Sequence, residues 1–314
     1  MKTAVIYHYY EANKTYKDNF VFFLNTAILK ELDYYIYLSG TCTVKLFKRK
    51  NIKYRYIENK NNDFGGLVEF HKEFQLIDYS TYIFINCSVR GPFEANYFHE
   101  KWYKIFSSKL SKDKLLVGSS INILPTSNKH SLLFSKSYDY SPPYVHVQTA
   151  AYALSKKGYK ILSKKRFFDE NRQLEKNEVI NRYEILMSQI ILNNGFSIGS
   201  ILPTQEKFNG NKNNKIFEGS SNNGNPLFRA FFGRLLSPLE IVFIKTNIKK
   251  ISTRDLASYT FTSLSNKVSE SFLTDDGLDL KRRSAEQLFL KEPNTLFKNL
   301  KYIFRKIKIL FKKK

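Results

Sequence analysis

Three short segments carry side chains whose types and spacing suit chemistry on a phosphorylated ligand. The first is Glu58-Asn59-Lys60-Asn61-Asn62-Asp63-Phe64-Gly65-Gly66. Its amides and carboxylates can hydrogen-bond a base or a ribose, and its glycines let a backbone approach closely. An Asn-rich turn capping a helix is the plain alternative. The second is Asn86-Cys87-Ser88-Val89-Arg90-Gly91-Pro92, where an apolar run breaks into amide, hydroxyl and guanidinium groups. Arg90 can clamp a diphosphate through forked, charge-assisted bonds, or pair with a structural carboxylate. The third is Glu184, set among apolar neighbours in Asn181-Arg182-Tyr183-Glu184-Ile185-Leu186. Held at the floor of a cleft, that carboxylate is a general base. Exposed, it pairs with Arg182 or Lys176, which is the commoner fate of a helix charge.

Other chemistries lack their residues. No G-x-x-x-x-G-K-[ST] or G-x-G-x-x-G motif occurs. His8, His71, His99, His130 and His146 show no paired metal-ligand spacing, and two cysteines, Cys42 and Cys87, make neither a disulfide framework nor a zinc site. Neither a zinc enzyme nor a P-loop kinase is expected.

The elements that must position these segments alternate. Strands are expected at Ala4 to Tyr10, Asp33 to Leu38, Ile52 to Ile57, Thr81 to Asn86 and Leu115 to Ser119. Helices are expected at Asn19 to Lys30, Val44 to Lys50 and Leu67 to Phe74. Such alternation predicts an α/β fold with a mainly parallel sheet flanked by helices. Ligands of such sheets lie beyond the strands' carboxyl ends, which points to His8-Tyr9-Tyr10, Glu58 to Gly66 and Asn86 to Pro92. Further on, His146 to Ala153 reads as a strand, Ser155 to Leu162 as a helix, and Glu178 to Asn193 as a helix stopped by Gly195. Lys207 to Asn225 is a polar Asn/Gly stretch read as a mobile lid loop.

Fifty-one Lys and Arg against 28 Asp and Glu leave a net charge of +23, which favours polyanionic partners. The apolar share of 42% excludes a wholly disordered chain. No apolar run is long enough to span a bilayer, and the start of the chain lacks a secretory signal pattern, so a cytosolic protein is expected. The last twenty residues stand out. Leu296, Leu300, Ile303, Ile307 and Leu310 recur by four, three, four and three. Lys291 to Lys314 holds nine basic residues and one acid, so 9 − 1 = +8. A basic amphipathic helix over 295–314 fits in-plane binding to an anionic membrane, each cation adding about 1 kcal/mol. A helix docked on the protein body is the alternative.

Taken in order, these pieces resemble the nucleotide-sugar-dependent glycosyltransferases of the GT-A fold, including those of bacterial surface polysaccharide assembly. The matching pieces are a first strand (Val5 to Tyr10), the Asn/Gly segment (Glu58 to Gly66), the strand end Phe84 to Ser88, and Glu184 ahead of Gly195-Phe196. Asn59 to Asp63 is also similar to the Asn-Lys-x-x-Asp segment of the rhamnan synthesis protein F group. The likeness covers roughly Lys2 to Pro203, and Gly233-Arg234 with Pro238 to Asn247 looks like a terminal motif of such enzymes.

The resemblance implies a GT-A-like, Rossmann-like domain over 1–250, with a nucleotide-sugar half (1–120) and an acceptor half (121–250). A helical extension (251–294) and the tail helix follow. It implies a donor site of Tyr7, His8, Tyr9, Glu58, Asn59, Asp63, Gly65, Asn86, Ser88 and Arg90, acceptor contacts from His146 and Gln148, and Glu184 as the inverting base. The acceptor would be a lipid-linked or surface glycan (capsule, O-antigen or lipooligosaccharide), met at the inner face of the plasma membrane. The fold's usual Asp-x-Asp is replaced by Asn86-Cys87-Ser88. Either Mg²⁺ or Mn²⁺ is held by a carboxylate elsewhere, or Arg90 and lysines neutralise the diphosphate without metal. Two other classes fit the composition: a non-catalytic scaffold of an envelope-polysaccharide complex, and a nucleic-acid-binding protein, although no specific nucleic-acid module is present.

Overall fold

A strand buried on both faces must be apolar at odd and even positions alike. Thr3–Tyr10 (β1) is such a strand: Ala4 and Ile6 pack to one side, Val5, Tyr7 and Tyr9 to the other. The computed structural model describes residues 2–74, 78–95, 97, 99–124, 126–205, 235–246, 251–266 and 269–289. After β1 comes α1 (Lys14–Thr26), which begins where the Asn13 side chain accepts a bond from the Tyr16 amide. It ends near Ala27, whose carbonyl takes the Tyr34 hydroxyl at 2.6 Å. The cap and this stop shift the helix ahead of the expected Asn19 to Lys30.

The chain continues through β2 (Leu32–Ser39), β3 (Ile52–Ile57), α2 (Gly65–Phe74), β4 (Thr81–Asn86), β5 (Val89–Arg90), α3 (Trp102–Ser107) and β6 (Lys114–Gly118). It then forms β7 (Ile121–Leu124), α4 (Lys129–Ser137), β8 (Tyr144–Val147), β9 (Ala151–Ser155), α5 (Lys156–Lys164), α6 (Lys176–Val179), α7 (Leu186–Asn193) and β10 (Ser197–Ser200). Short α8 (Pro238–Ile241) and β11 (Ile244–Lys245) precede α9 (Thr253–Asn266) and α10 (Asp275–Phe289).

Seven strands make one sheet in the order β10-β6-β9-β4-β1-β2-β3. Among these strands β9 runs antiparallel to both neighbours, and the other pairs are parallel. The expected α/β class with a mainly parallel sheet is therefore observed. One face carries α2, α5 and α7 over a core that includes Ile6, Tyr37, Phe70 and Ile191. The other carries α1, α3, α9 and α10 over Val5, Tyr7, Phe20, Trp102 and Leu264. Helices α9 and α10 thus share the core of the sheet, and α10 is tied to α1 by the Arg283–Asp18 ion pair at 2.9 Å. Two small sheets complete the frame: the β7–β8 hairpin, with Asn122 opposite His146, and β5–β11, with Lys245 opposite Val89.

Three expected elements change. Val44 to Lys50 is irregular, not helical. Its polar main-chain groups are spent elsewhere, the Lys45 amide on Asp276 at 3.0 Å and the Phe47 carbonyl on the Tyr54 hydroxyl at 3.1 Å. His146 to Ala153 splits into β8 and β9, because the chain leaves the hairpin there to enter the main sheet. The amide of Gln148 bonds Ser120, and the Ala150 carbonyl takes the Asn86 amide. The helix expected over Glu178 to Asn193 contains a π-helical stretch, Ile180–Ile185, between α6 and α7. Gly195, at φ 81°, stops it as expected. The lid loop 207–225, the Gly233-Arg234 pair and the tail 295–314 lie outside the described residues. Among the described residues no helix is long and apolar enough to cross a membrane.

Candidate functional site

A cleft of about 1120 Å³ lies at the carboxyl ends of β1 and β4, where the fold rule puts ligands. Strand parity decides which residues reach it. His8 and Tyr10 line the cleft, and the His8 ring bonds Ser39 Oγ at 2.6 Å. Tyr7 and Tyr9 point the other way and correct the expectation. Tyr7 packs between Phe20 and Phe23, with ring centroids 5.3 and 4.3 Å away. Tyr9 stacks on Phe20 and donates its hydroxyl to Glu11 at 2.8 Å.

The Asn-rich segment contributes Asn59, Asn62 and Asp63 to the cleft. Asn61 and Asn62 both adopt left-handed backbone, φ 54° and 50°, which asparagine tolerates better than most residues. Asn61 fixes the turn: its side chain donates to the Arg172 carbonyl at 2.9 Å and accepts the Leu174 amide at 2.7 Å. Glu58 lies outside the cleft, paired with Lys60 at 2.7 Å. Gly65 also serves the fold rather than a ligand, since a Cβ there would lie 2.4 Å from the Lys60 carbonyl oxygen.

At the end of β4, the Asn86 side chain donates to Asp63 Oδ2 at 2.8 Å and accepts the amide and hydroxyl of Ser88 at 3.0 and 2.5 Å. Asn86 therefore positions Asp63, while Ser88 and Cys87 reach the cleft. Arg90 does not reach it. Only 5% exposed, its guanidinium donates to Asn19 Oδ1 at 2.9 Å and Thr260 Oγ1 at 3.1 Å. Asp18 lies 4.0 Å away, and burial pulls the pKa down to about 10. Arg90 is a cation that locks α1 to α9. Asn19 in turn donates to the Cys87 carbonyl and to Thr246 Oγ1, which holds β11 beside β5 and places Lys245 in the cleft.

Glu184 comes from the π-helical stretch and lines the same cleft. Such stretches shift side-chain phase and are frequent at functional sites. Phe64 and Tyr183 stack at 4.8 Å with planes 10° apart, so the neighbours of Asp63 and Glu184 pack directly on each other. Burial pushes the Glu184 carboxyl above its ordinary range; Lys245 opposes the shift, Asp63 adds to it, and Lys176 opposes it. Asp63 is raised by burial against the pull of His8 and Lys245, and its opening to cleft solvent moderates that rise. Burial lowers His8, with Asp63 opposing. The hairpin and α4 add Asn122, His130, His146 and Gln148.

The cleft therefore unites His8, Asn59, Asp63, Ser88, Glu184, His146 and Gln148 of the expected residues, with Asn86 behind Asp63. Lys245, Lys176, Asn122 and His130 were not singled out from sequence as site residues. Asn122 carried a faint signal as the polar member of the alternating run Ile121-Asn122-Ile123. Lys245 fell within the Pro238 to Asn247 segment that resembles a terminal motif, but its two-residue strand gave no periodicity to assign it a role.

The Asn86-Cys87-Ser88 donor set does not fit Mg²⁺ or Mn²⁺. Amide, thiol and hydroxyl groups stand where carboxylates would hold the ion, and the Asn86 oxygen already accepts bonds from Ser88. Among the described residues no group of three or more His, Cys, Asp or Glu is arranged to hold a metal.

No family model and no curated protein matches the sequence, so no link to the rhamnan synthesis protein F group is shown. Among solved structures, the chain aligns with galactosyltransferase LgtC in complex with donor and acceptor sugar analogs. The identity is 10%, over 86% of this chain and 98% of that one, with a TM-score of 0.42. It aligns with the inositol-1-phosphate CTP transferase from T. maritima at 12% identity, over 64% of this chain and 84% of that one, with a TM-score of 0.29. With apo GlyE of Streptococcus pneumoniae TIGR4 the values are 9% identity, 65% and 46% coverage, and a TM-score of 0.30. Likeness at these scores carries no argument about the reaction, which must be read from the cleft.

Proposed function

We propose that this chain is a glycosyltransferase that moves a sugar from a nucleoside-diphosphate sugar to a hydroxyl of a lipid-linked or surface-polysaccharide acceptor. One observation carries the reading: a carboxylate with a raised pKa, Glu184, shares a single strand-end cleft with Asp63 and the cation Lys245. A carboxyl raised by burial is a stronger base once ionised, which suits deprotonation of an alcohol. The nucleoside lies by His8, Tyr10 and Asn59 to Asp63, and the diphosphate by Ser88 and Lys245. Glu184 takes the proton of the acceptor hydroxyl, whose oxygen bonds the anomeric carbon as the bond to the diphosphate oxygen breaks, inverting the centre. Negative charge builds on the departing diphosphate, and Lys245 and Lys176 stabilise it more in the transition state than before.

Residues 1–250 form the catalytic unit in this reading, and the tail 295–314 holds it peripherally on an anionic membrane at the cytoplasmic face. The second reading, a non-catalytic scaffold, is favoured by Asn86-Cys87-Ser88 in place of a metal-binding carboxylate pair. Turnover separates the two. A thermal-shift screen against UDP, GDP and CDP and their sugars should reveal a donor that raises the melting temperature. Glu184→Gln should retain that shift and lose transfer and slow donor hydrolysis. A wild-type chain that neither binds nor hydrolyses any of these donors is a scaffold. For the tail, a chain ending at Glu292 should no longer float with anionic phosphatidylglycerol liposomes; unchanged flotation removes the membrane role.

A further inference from the structure

The β7–β8 hairpin brings to the cleft a group of polar side chains that the transfer chemistry above does not use. Asn122 and His146 face each other across the hairpin and are 5% and 3% exposed. The hydrogen bonds fix their orientation. His146 Nδ1 lies 3.2 Å from the Tyr144 carbonyl, which only accepts, so Nδ1 carries the proton. Burial lowers the pKa of this imidazole to about 4, which leaves Nε2 a bare acceptor at neutral pH. Asn122 must therefore turn its amide nitrogen to Nε2, at 3.4 Å, and present its oxygen elsewhere. That oxygen is buried without a partner, and so is Nδ1 of His130. Both residues line the cleft, as does Gln148.

A buried acceptor left open keeps the cost of its lost hydration, which a bound donor recovers. A carboxylate cannot fill it, because a carboxylate has no proton to give. An ammonium can give one, but Lys129 and Lys176 act on His130 and oppose a second cation there. A hydroxyl both donates and accepts without charge. We infer that Asn122, His130 and Gln148, with His146 holding Asn122 in place, form a subsite for the hydroxyl groups of an uncharged sugar ring of the acceptor. The inference rests on the glycosyl-transfer reading for which sugar this is, and on the hairpin geometry for its chemistry.

The test uses the full chain and ligand-observed saturation-transfer NMR with four probes: methyl β-D-galactopyranoside, methyl β-D-glucopyranoside, D-glucuronic acid and D-glucosamine. At least one neutral glycoside should bind, and more tightly than the acid and the amine. Asn122→Asp should weaken that glycoside by about tenfold or more, because it places a buried charge where a hydroxyl docked. Gln148→Met leaves the His146 bond untouched and should read the same direction of loss if the first variant does not fold. Nucleoside-diphosphate binding by thermal shift should be unchanged in both variants. Equal or tighter binding of the acid or amine, no neutral glycoside bound, or unaltered glycoside affinity in the variants overturns the subsite. Neutral glycosides bound by a chain that binds no nucleoside diphosphate would instead overturn the transfer reading and leave the subsite standing.

Discussion

The two faces of the central sheet use the same residue types for different ends. On the cleft side, His8, Asp63 and Glu184 keep polar groups near open space, and two carboxyls are held above their ordinary pKa. On the α1 side, Tyr7 and Tyr9 are core, and Arg90 spends its guanidinium on Asn19 and Thr260. The contrast between Arg90 and Lys245 is sharpest. Both are cations at the paired β5 and β11 strands, yet one is enclosed and partnered while the other lines the cleft. A cation's usefulness to a ligand is decided by what already surrounds it.

The comparison breaks most sharply at Glu184. Glu184→Gln should lower turnover by about 10²–10⁴-fold, the usual worth of a positioned base, with folding unimpaired. Steady-state rates at saturating donor, paired with a thermal melt, check both halves. A variant within a few-fold of wild type would move catalysis away from this residue. Arg90→Met comes next and should act on stability. It leaves Asn19 Oδ1 and Thr260 Oγ1 without their charged donor, while Asp18 keeps its pair with Arg283, and losing such bonds costs about 1.5–3 kcal/mol. The urea midpoint should fall accordingly, while donor affinity of the folded fraction changes less than in Lys245→Met. A stable Arg90→Met protein with lost donor binding would reverse the assignment of the two cations.

Much of this contrast was legible in the residues, and the illegible part has a physical cause. The α/β alternation and the strand-end location followed from runs such as Thr81 to Asn86, whose apolar stretch stops where polar groups begin. Parity did not follow. β1 is buried on both faces, so nothing in Tyr7-His8-Tyr9 told which side carried a helix and which a cleft. Arg90 failed for a related reason, because its partners Asn19 and Thr260 are 71 and 170 residues away in sequence. Glu184 was recognisable as a helix-borne acid among apolar neighbours, but the π-helical phase that aims it depends on packing such as the Phe64–Tyr183 stack. Lys245 lay inside the segment that resembles a terminal motif, but its role was hidden, because two residues of strand leave no periodicity to read.

The smallest expected effect is the most discriminating, because its sign is fixed by the charges in the cleft. Lys245→Met should lower turnover by roughly 10²-fold, the scale of one preorganised group on developing charge. It should also move the acid limb of the rate profile upward. Glu184 must be ionised to act, burial already raises its pKa, and Lys245 is the foremost group opposing that rise. Removing the cation lets the carboxyl hold its proton to higher pH. Stability follows the same sign. A native carboxyl that binds its proton more tightly than in the unfolded chain makes the fold lose stability as pH rises from the unfolded value, about 4.3, through the native one. Lys245→Met should steepen that loss, and Glu184→Gln should remove the share due to Glu184, both read as urea midpoints across this window. An acid limb that stays put in Lys245→Met would mean that Lys245 and Glu184 do not share one electrostatic site.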